Sequence, residues 1–201
     1  MRHGQSDMDN RGKRLVILGH EEVDALYGRP RFTQEERDDY FTLSAQEKAA
    51  LGQLHSLKSK LFFMLQLGYF KARRMFFVFA LKEMEEDAAY VRDRYLPAFD
   101  NADSEIAETT RLKQQQLILN LCQYRSADAV IRSTLEARAR QAAAVCGKPV
   151  YVFRELMRHL AEQRVIAPGY SVMQTSSAPR WRMRNAALPA SWPTTSAGPR
   201  N

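Results

Sequence analysis

Ser56-Leu57-Lys58-Ser59-Lys60-Leu61-Phe62-Phe63-Met64-Leu65-Gln66-Leu67-Gly68-Tyr69-Phe70-Lys71 is the stretch that decides the fold. Ser56 offers a side-chain oxygen to the orphan amides of a first turn, so it opens a helix running from Leu57 to about Lys71. Leu61, Phe62, Phe63, Met64, Leu65, Leu67, Tyr69 and Phe70 occupy most sides of that helix instead of one stripe. A helix apolar nearly all round is buried at the centre of its bundle, with its basic residues gathered at the two ends where they reach solvent. The most apolar stretch, Leu61 to Leu81, is about as long as a membrane span. Lys71, Arg73 and Arg74 fall at its middle, however, where each charge costs about 2.5–3.5 kcal/mol, and a span is excluded.

Working outward, Thr33 with Glu36 and Ser44 with Glu47 form two capping boxes, opening helices to about Phe41 and from Ala45 to about Leu54. The Phe76–Phe79 run fits a short strand or a short helix. A helix from about Lys82 to Leu96 is stopped by Pro97. Asp100 to Ser104 reads as a linker between two subdomains. Beyond it, a helix over about Thr110–Gln123 carries Leu112, Leu117, Ile118 and Leu121 on one face. Ser126 is expected to cap the next helix, which runs to about Cys146 with Gly147 as the left-handed residue that ends it. Pro149 suits the first turn of a last helix to about Arg164, because the amide it lacks would be orphaned there. Helix, Gly-Lys-Pro turn, helix is the outline of a helix-turn-helix.

From Ser176 onward four of the eight prolines and both tryptophans occur, and no apolar periodicity survives. That tail is expected to be disordered. The predicted fold is therefore all-α. A disordered N-terminus spans 1–13, a first helical subdomain 14–99, a second, helix-turn-helix-like subdomain 104–175, and the tail 176–201.

The net charge of +7 is unevenly placed. Residues 1–100 hold 16 Lys/Arg and 16 Asp/Glu, whereas 101–201 hold 14 and 7. From Lys48 to Lys82 there are seven basic residues and no acid. Acidic runs flank this block (Glu35, Glu36, Asp38 and Asp39 before it; Glu83, Glu85, Glu86 and Asp87 after it), and basic residues dominate again from Arg111. Two basic zones separated by an acidic one suit two polyanion-facing surfaces on a shared scaffold.

Enzyme chemistry finds no foothold. His3, His20, His55 and His159 are scattered, with no HExxH and no cysteine partners, so no metal site is expected. GxxxxGK[ST], GxGxxG and GxSxG are all absent, and no catalytic residue or cofactor is assigned. Cys122 and Cys146 belong to no CxxC cluster, and Met1–Asn10 has no apolar core, which predicts a reduced, cytoplasmic chain.

The candidate DNA-binding residues follow from charge and helix placement. In the first zone Lys58 and Lys60 begin the long helix, and Lys71, Arg73 and Arg74 end it. These suit phosphate positioning, since long flexible cations carry little directional information. In the second zone Arg111, Lys113, Arg132, Arg138 and Arg140 lie on two helices and Lys148 sits in the turn. Tyr151, Arg154 and Arg158 then share a face of the last helix, opposite Phe153, Leu156, Met157 and Leu160. That polar face is expected to be free for a major groove, with pairing of Arg158 to Glu155 and Glu162 as the bland alternative.

An ordered set of stretches carries a resemblance. Arg14-Leu-Val-Ile-Leu-Gly19 and Glu22-Val-Asp-Ala-Leu-Tyr-Gly-Arg-Pro-Arg-Phe32 lead into Arg37-Asp-Asp-Tyr-Phe-Thr-Leu43. Lys58-Ser-Lys-Leu-Phe-Phe-Met-Leu-Gln-Leu-Gly-Tyr-Phe70 and Thr109-Thr-Arg-Leu-Lys-Gln-Gln-Gln-Leu-Ile-Leu119 follow, then Tyr151-Val-Phe-Arg-Glu-Leu-Met157 and Ile166-Ala-Pro-Gly-Tyr170. Collinear over roughly Arg14 to Thr175, the set resembles the N-terminal region of the Tn-three family of replicative transposases (TnpA-type). The resemblance implies small helical domains that bind the transposon's terminal inverted repeats. It also implies that the ribonuclease-H-like catalytic domain, which follows much later in that family, is missing here. The departure at Ser176 reads as out-of-frame translation after a deletion or frameshift. The expected partner is double-stranded DNA, with nucleoid association and no membrane. A second expectation is an interaction module or inert remnant that modulates full-length transposase, for which free surface at Phe62, Phe63, Phe76 or Phe77 is the signature.

Overall fold

A computed structural model describes residues 16–97 and 105–177, and every described regular element is helical. The order is α1 (His20–Tyr27), α2 (Gln34–Phe41), α3 (Ala45–Gly52), α4 (Leu57–Arg73), a 3-10 turn (Leu81–Met84), α5 (Glu85–Tyr95), α6 (Glu108–Cys122), α7 (Ala129–Val145) and α8 (Pro149–Glu162). A further helix, α9, occupies 170–177.

The caps explain why these segments start where they do. The Thr33 hydroxyl accepts from the Glu36 amide while Glu36 accepts from the Thr33 amide at 2.8 Å. Ser44 and Glu47 repeat the arrangement. Ser56 accepts from the Ser59 amide at 3.1 Å and opens α4. α7 departs from expectation: Asp128, not Ser126, caps it, its carboxylate accepting from the Ile131 amide at 2.8 Å. Pro149 stands in the first turn of α8 as its missing amide requires. Residues 76–79 are neither strand nor helix but an irregular connection, whose Phe76, Phe77 and Phe79 pack on the core.

α4 is the axle of the larger core. Ten consecutive residues, Leu61 to Phe70, are buried in it. Phe32 and Phe41 close over it in an aromatic group with Tyr69, with ring centroids 5.5–6.2 Å apart. The approach is close because residue 68 is Gly: a Cβ there would lie 2.3 Å from the Phe41 ring. Asp87 of α5 is buried against the same helix. It accepts from the Tyr69 hydroxyl at 2.7 Å and from Arg37 Nε of α2 at 2.8 Å, tying three helices together. Burial and the neighbouring carboxylate hold the Tyr69 phenol far above its ordinary pKa, so it stays a donor. On the other side, buried Gln66 donates to Gln114 of α6 at 2.7 Å. Gln114 in turn donates to the Ser59 carbonyl and hydroxyl, both at 2.8 Å.

The second core interleaves with the first along the chain. Ile131, Leu135, Ala139, Ala142 and Ala143 of α7 pack with Val152, Phe153, Leu156 and Leu160 of α8, along with Val165 and Met173. Leu18 joins this core, with Val23 and Tyr27 of α1 against it. Ile118 and Leu119 of α6, in contrast, belong to the core built on α4. The hydrophobic grouping thus follows neither 14–99 nor 104–175 as blocks; α1 packs with the second set and α6 with the first. A two-residue backbone bridge fastens the ends of α6 and α8, with the Arg125 amide on the Arg164 carbonyl and the Ile166 amide on the Arg125 carbonyl, both 3.0 Å. The expected linker at 100–104, the N-terminus at 1–13 and the tail from 178 lie outside the described residues. Residues 176–177, assigned to the tail from sequence, continue α9, and Ser177 is buried.

Candidate nucleic-acid interface

The fourteen candidate residues divide by what already holds them. At the C-terminal end of α4 all three cations have partners. Lys71 Nζ donates to Glu47 and to the Thr42 carbonyl, both at 2.8 Å. Arg73 donates to the Ala25 carbonyl in α1 at 2.9 Å. Arg74 ends the helix in the left-handed region at φ 56° and stacks its guanidinium on Tyr124, 5.5 Å from the ring centroid. Gln123 (φ 57°) closes α6 in that same conformation, and Arg164 (φ 50°) follows α8 with its guanidinium on the Gln123 side chain at 3.0 Å. The C-terminal ends of three helices converge here. Their partial negative charges favour cations within the last turn. Structure therefore accounts for Lys71, Arg73 and Arg74 before any ligand is invoked.

The polar face of α8 is engaged as well. Arg158 makes hydrogen-bonded ion pairs with Glu155 at 2.6 Å and Glu162 at 3.0 Å. The hydrogen bond from Arg158 holds the Glu155 carboxyl below its ordinary range. Arg154 reaches Glu22 of α1 at 3.3 Å. Arg154, Arg158, Glu22 and Glu162 are largely exposed and Glu155 is half-buried, so solvent screens these pairs and a phosphate can compete with them. Even so, three carboxylates now surround two guanidiniums on a face that the sequence left open to a groove. α1 produces part of this. It was missed in the sequence because its N-cap is Gly19, whose amide donates to Glu22 at 3.0 Å, and because it buries no residue fully. Val23 and Tyr27, four apart, were the available signal. Tyr27 lies edge-on to Phe153 and Tyr170, with centroids at 6.5 and 5.7 Å.

Arg111 and Arg138 are partly held, Arg111 by Glu108 at 3.3 Å and Arg138 by Gln141 at 3.2 Å. Tyr151 is half-buried against the second core. Six cations remain without a side-chain partner among the described residues: Lys58, Lys60, Lys113, Arg132, Arg140 and Lys148. Lys58 and Lys60 sit at the start of α4 and Lys113 on α6. Arg132 and Arg140 lie on the outer side of α7, and Lys148 is the exposed residue immediately before α8. Arg125, exposed at the bridge between the two cores, is a further cation that the sequence did not single out, since it lies between helices without periodic context.

Among the described residues there is no cluster of His, Cys, Asp and Glu able to hold a metal ion. Both cysteines are unbridged, and burial raises the Cys122 thiol pKa above its ordinary value. No helix among these residues is long and apolar enough to cross a membrane. Phe62 and Phe63 are buried, and Phe76 and Phe77 are half-buried against the core. No curated protein matches the chain. A family model described as a domain of unknown function, DUF4158, matches residues 17–178. Most of the sequence is thereby covered, and the chain belongs to the DUF4158 family.

Proposed function

We propose that this chain binds double-stranded DNA, as the N-terminal region of a Tn-three family transposase that recognises terminal inverted repeats and does no cutting itself. The observation that carries the reading is a surplus of positive charge that the fold does not consume. The two acidic helices α2 and α5 spend Asp38, Glu86 and Asp87 on Arg94 and Arg37. Six cations on α4, α6, α7 and the turn before α8 make no ion pair or side-chain hydrogen bond among the described residues; Lys113, Arg132, Arg140 and Lys148 are exposed, and Lys58 and Lys60 are half-buried. Surfaces of that kind raise the local concentration of polyanions and steer their approach. Their number suits the phosphate-contact share of a duplex interface, which positions the protein before any base is read.

The collinear resemblance across Arg14–Thr175 supports the inverted repeat as the particular duplex, and the all-helical DUF4158 fold is compatible with it. The test is competitive binding. Labelled duplex carrying the terminal inverted repeat of a Tn-three element is titrated with protein, and unlabelled repeat or scrambled duplex is added as competitor. Preferential displacement by the repeat is expected. Equal displacement by both would remove the sequence-specific part of the reading, and absence of binding would remove all of it. Co-purification with intact transposase without any DNA shift would favour the interaction-module alternative.

A further inference from the structure

We propose that the N-terminal edges of α4 and α6 together form the surface that tracks the phosphates of a duplex, with Lys58, Lys60 and Lys113 as its cations. The proposal rests on the DNA-binding reading and names the face that performs it.

The two helices run side by side in the same direction. Gln114 meets Ser59 at one end, and Tyr124 meets Phe70, with centroids 5.4 Å apart, at the other. Both N-termini therefore lie at one edge of the domain. Lys58 and Lys60 flank Ser59 in the chain and Lys113 precedes Gln114, so each lysine Cα is about 3.8 Å from a residue of that single interhelical contact. Arg111 stands one turn before Gln114, with its Nη2 on Glu108 at 3.3 Å and its buried Nε without a partner.

The placement runs against local stability. A helix N-terminus carries partial positive charge and favours acids in its first turn. α4 has no acid there and presents Lys58 and Lys60 instead. Neither lysine is repaid by an ion pair or hydrogen bond among the described residues. At the opposite end of α4, Lys71, Arg73 and Arg74 engage two carbonyls, Glu47 and Tyr124. One set of cations is thus committed to the fold, while Lys58 and Lys60 are held against the helix preference with no polar partner among the described residues. Departures of that kind concentrate at functional positions. The chemistry of the set also selects its ligand. Lysines are compact point charges on flexible stems, suited to phosphates and poor at reading base edges. Among the described residues of α6 and its approach the acids are Glu105 and Glu108, the latter engaged by Arg111.

The experiment measures binding of a labelled random-sequence duplex by anisotropy between about 50 and 200 mM salt, the range over which phosphate contacts are most visible. It compares wild type with the triple variant Lys58→Gln, Lys60→Gln, Lys113→Gln and with Arg132→Gln, Arg140→Gln, Lys148→Gln, which removes equal charge elsewhere. The first triple variant is expected to lose about fivefold per lysine near 0.15 M, roughly a hundredfold together, with the log–log salt slope shallower by about 2.7. The second loses less affinity and less of the slope than the first. A third variant with Arg at positions 58, 60 and 113 restores affinity. Thermal melting of the Gln variant at positions 58, 60 and 113 no lower than wild type shows that its loss is not unfolding. Wild-type binding with an undiminished slope in that variant, and a loss confined to the α7 set, would overturn this proposal and leave DNA binding standing. No binding by wild type would instead remove the DNA-binding reading itself.

Discussion

Replacing Gly68 by Ala should destabilise the protein, although alanine is the better helix former. The added Cβ would lie 2.3 Å from Cε1 and 2.5 Å from Cδ1 of Phe41. Ordinary carbon contacts are about 3.5–4.0 Å, so the ring must withdraw by more than about 1 Å. It has little room to do so: Phe41 is 1% exposed and ringed by Phe32, Tyr69 and Tyr90 at centroid distances of 5.5, 6.2 and 5.9 Å. Overpacking of this type costs about 1–3 kcal/mol, and a hemmed aromatic places this case at the upper end. Against it stands about 1 kcal/mol of recovered helix propensity. The net is about 2 kcal/mol of destabilisation, or a Tm lower by roughly 4–8 °C for a domain of this size. Thermal and urea unfolding followed by circular dichroism measure it. Gly52→Ala is the control, since nothing lies within 4 Å of a Cβ there; it should be neutral or stabilising by up to about 1 kcal/mol. Shrinking the ring by adding Phe41→Leu to Gly68→Ala should cost less than the two single changes summed. A Gly68→Ala protein as stable as wild type would refute the packing of α2 on α4.

Three further outcomes follow from particular contacts. Asp87→Ala removes the acceptor for both Arg37 and Tyr69 and strands a largely buried guanidinium. It should cost about 3 kcal/mol, somewhat less to the extent that Glu86 still pairs with Arg37, read as a lower urea midpoint. Gln123→Gly relaxes a left-handed residue, and should gain up to about 1 kcal/mol less whatever the exposed bond from Arg164 contributes; a clear loss of Tm would contradict the φ of 57°. Arg158→Gln should raise the Glu155 pKa, followed by carboxyl NMR shifts. Because the folded-state pKa of Glu155 is depressed, its small contribution is present above the unfolded carboxyl pKa and fades as pH falls through the folded one. An unchanged Glu155 titration would mean the pair is not formed in solution.

Local chemistry written in single residues was legible in advance. Thr33/Glu36, Ser44/Glu47, Ser56 and Pro149 each specify a helix start through side-chain atoms or a missing amide, and each start is found where those atoms put it. The run from Leu61 to Phe70 announced its own burial. What depends on which surfaces meet was hidden. α1 is held mainly by Tyr27 against Phe153 and Tyr170 and by Leu18, whose amide donates to the Tyr170 hydroxyl at 3.2 Å, contacts that reach from residues 18–27 to residues 153–170. No periodicity within eight residues encodes that. α9 was lost for a related reason, since its buried Met173 and Gln174 face a core assembled elsewhere. The candidate interface suffered most, because a sequence lists cations without their partners. Arg154 and Lys113 look equivalent on paper. In the fold one faces Glu22 and the other faces solvent.

The central claim is that phosphate contacts made by unspent cations drive binding, and one titration addresses it most directly. The dissociation constant of the wild-type chain for inverted-repeat duplex is measured across salt concentration. If about five lysines and arginines neutralise phosphates, the slope of log K against log salt is roughly −4 to −5. Binding that is absent, or whose slope is near zero, would contradict the account.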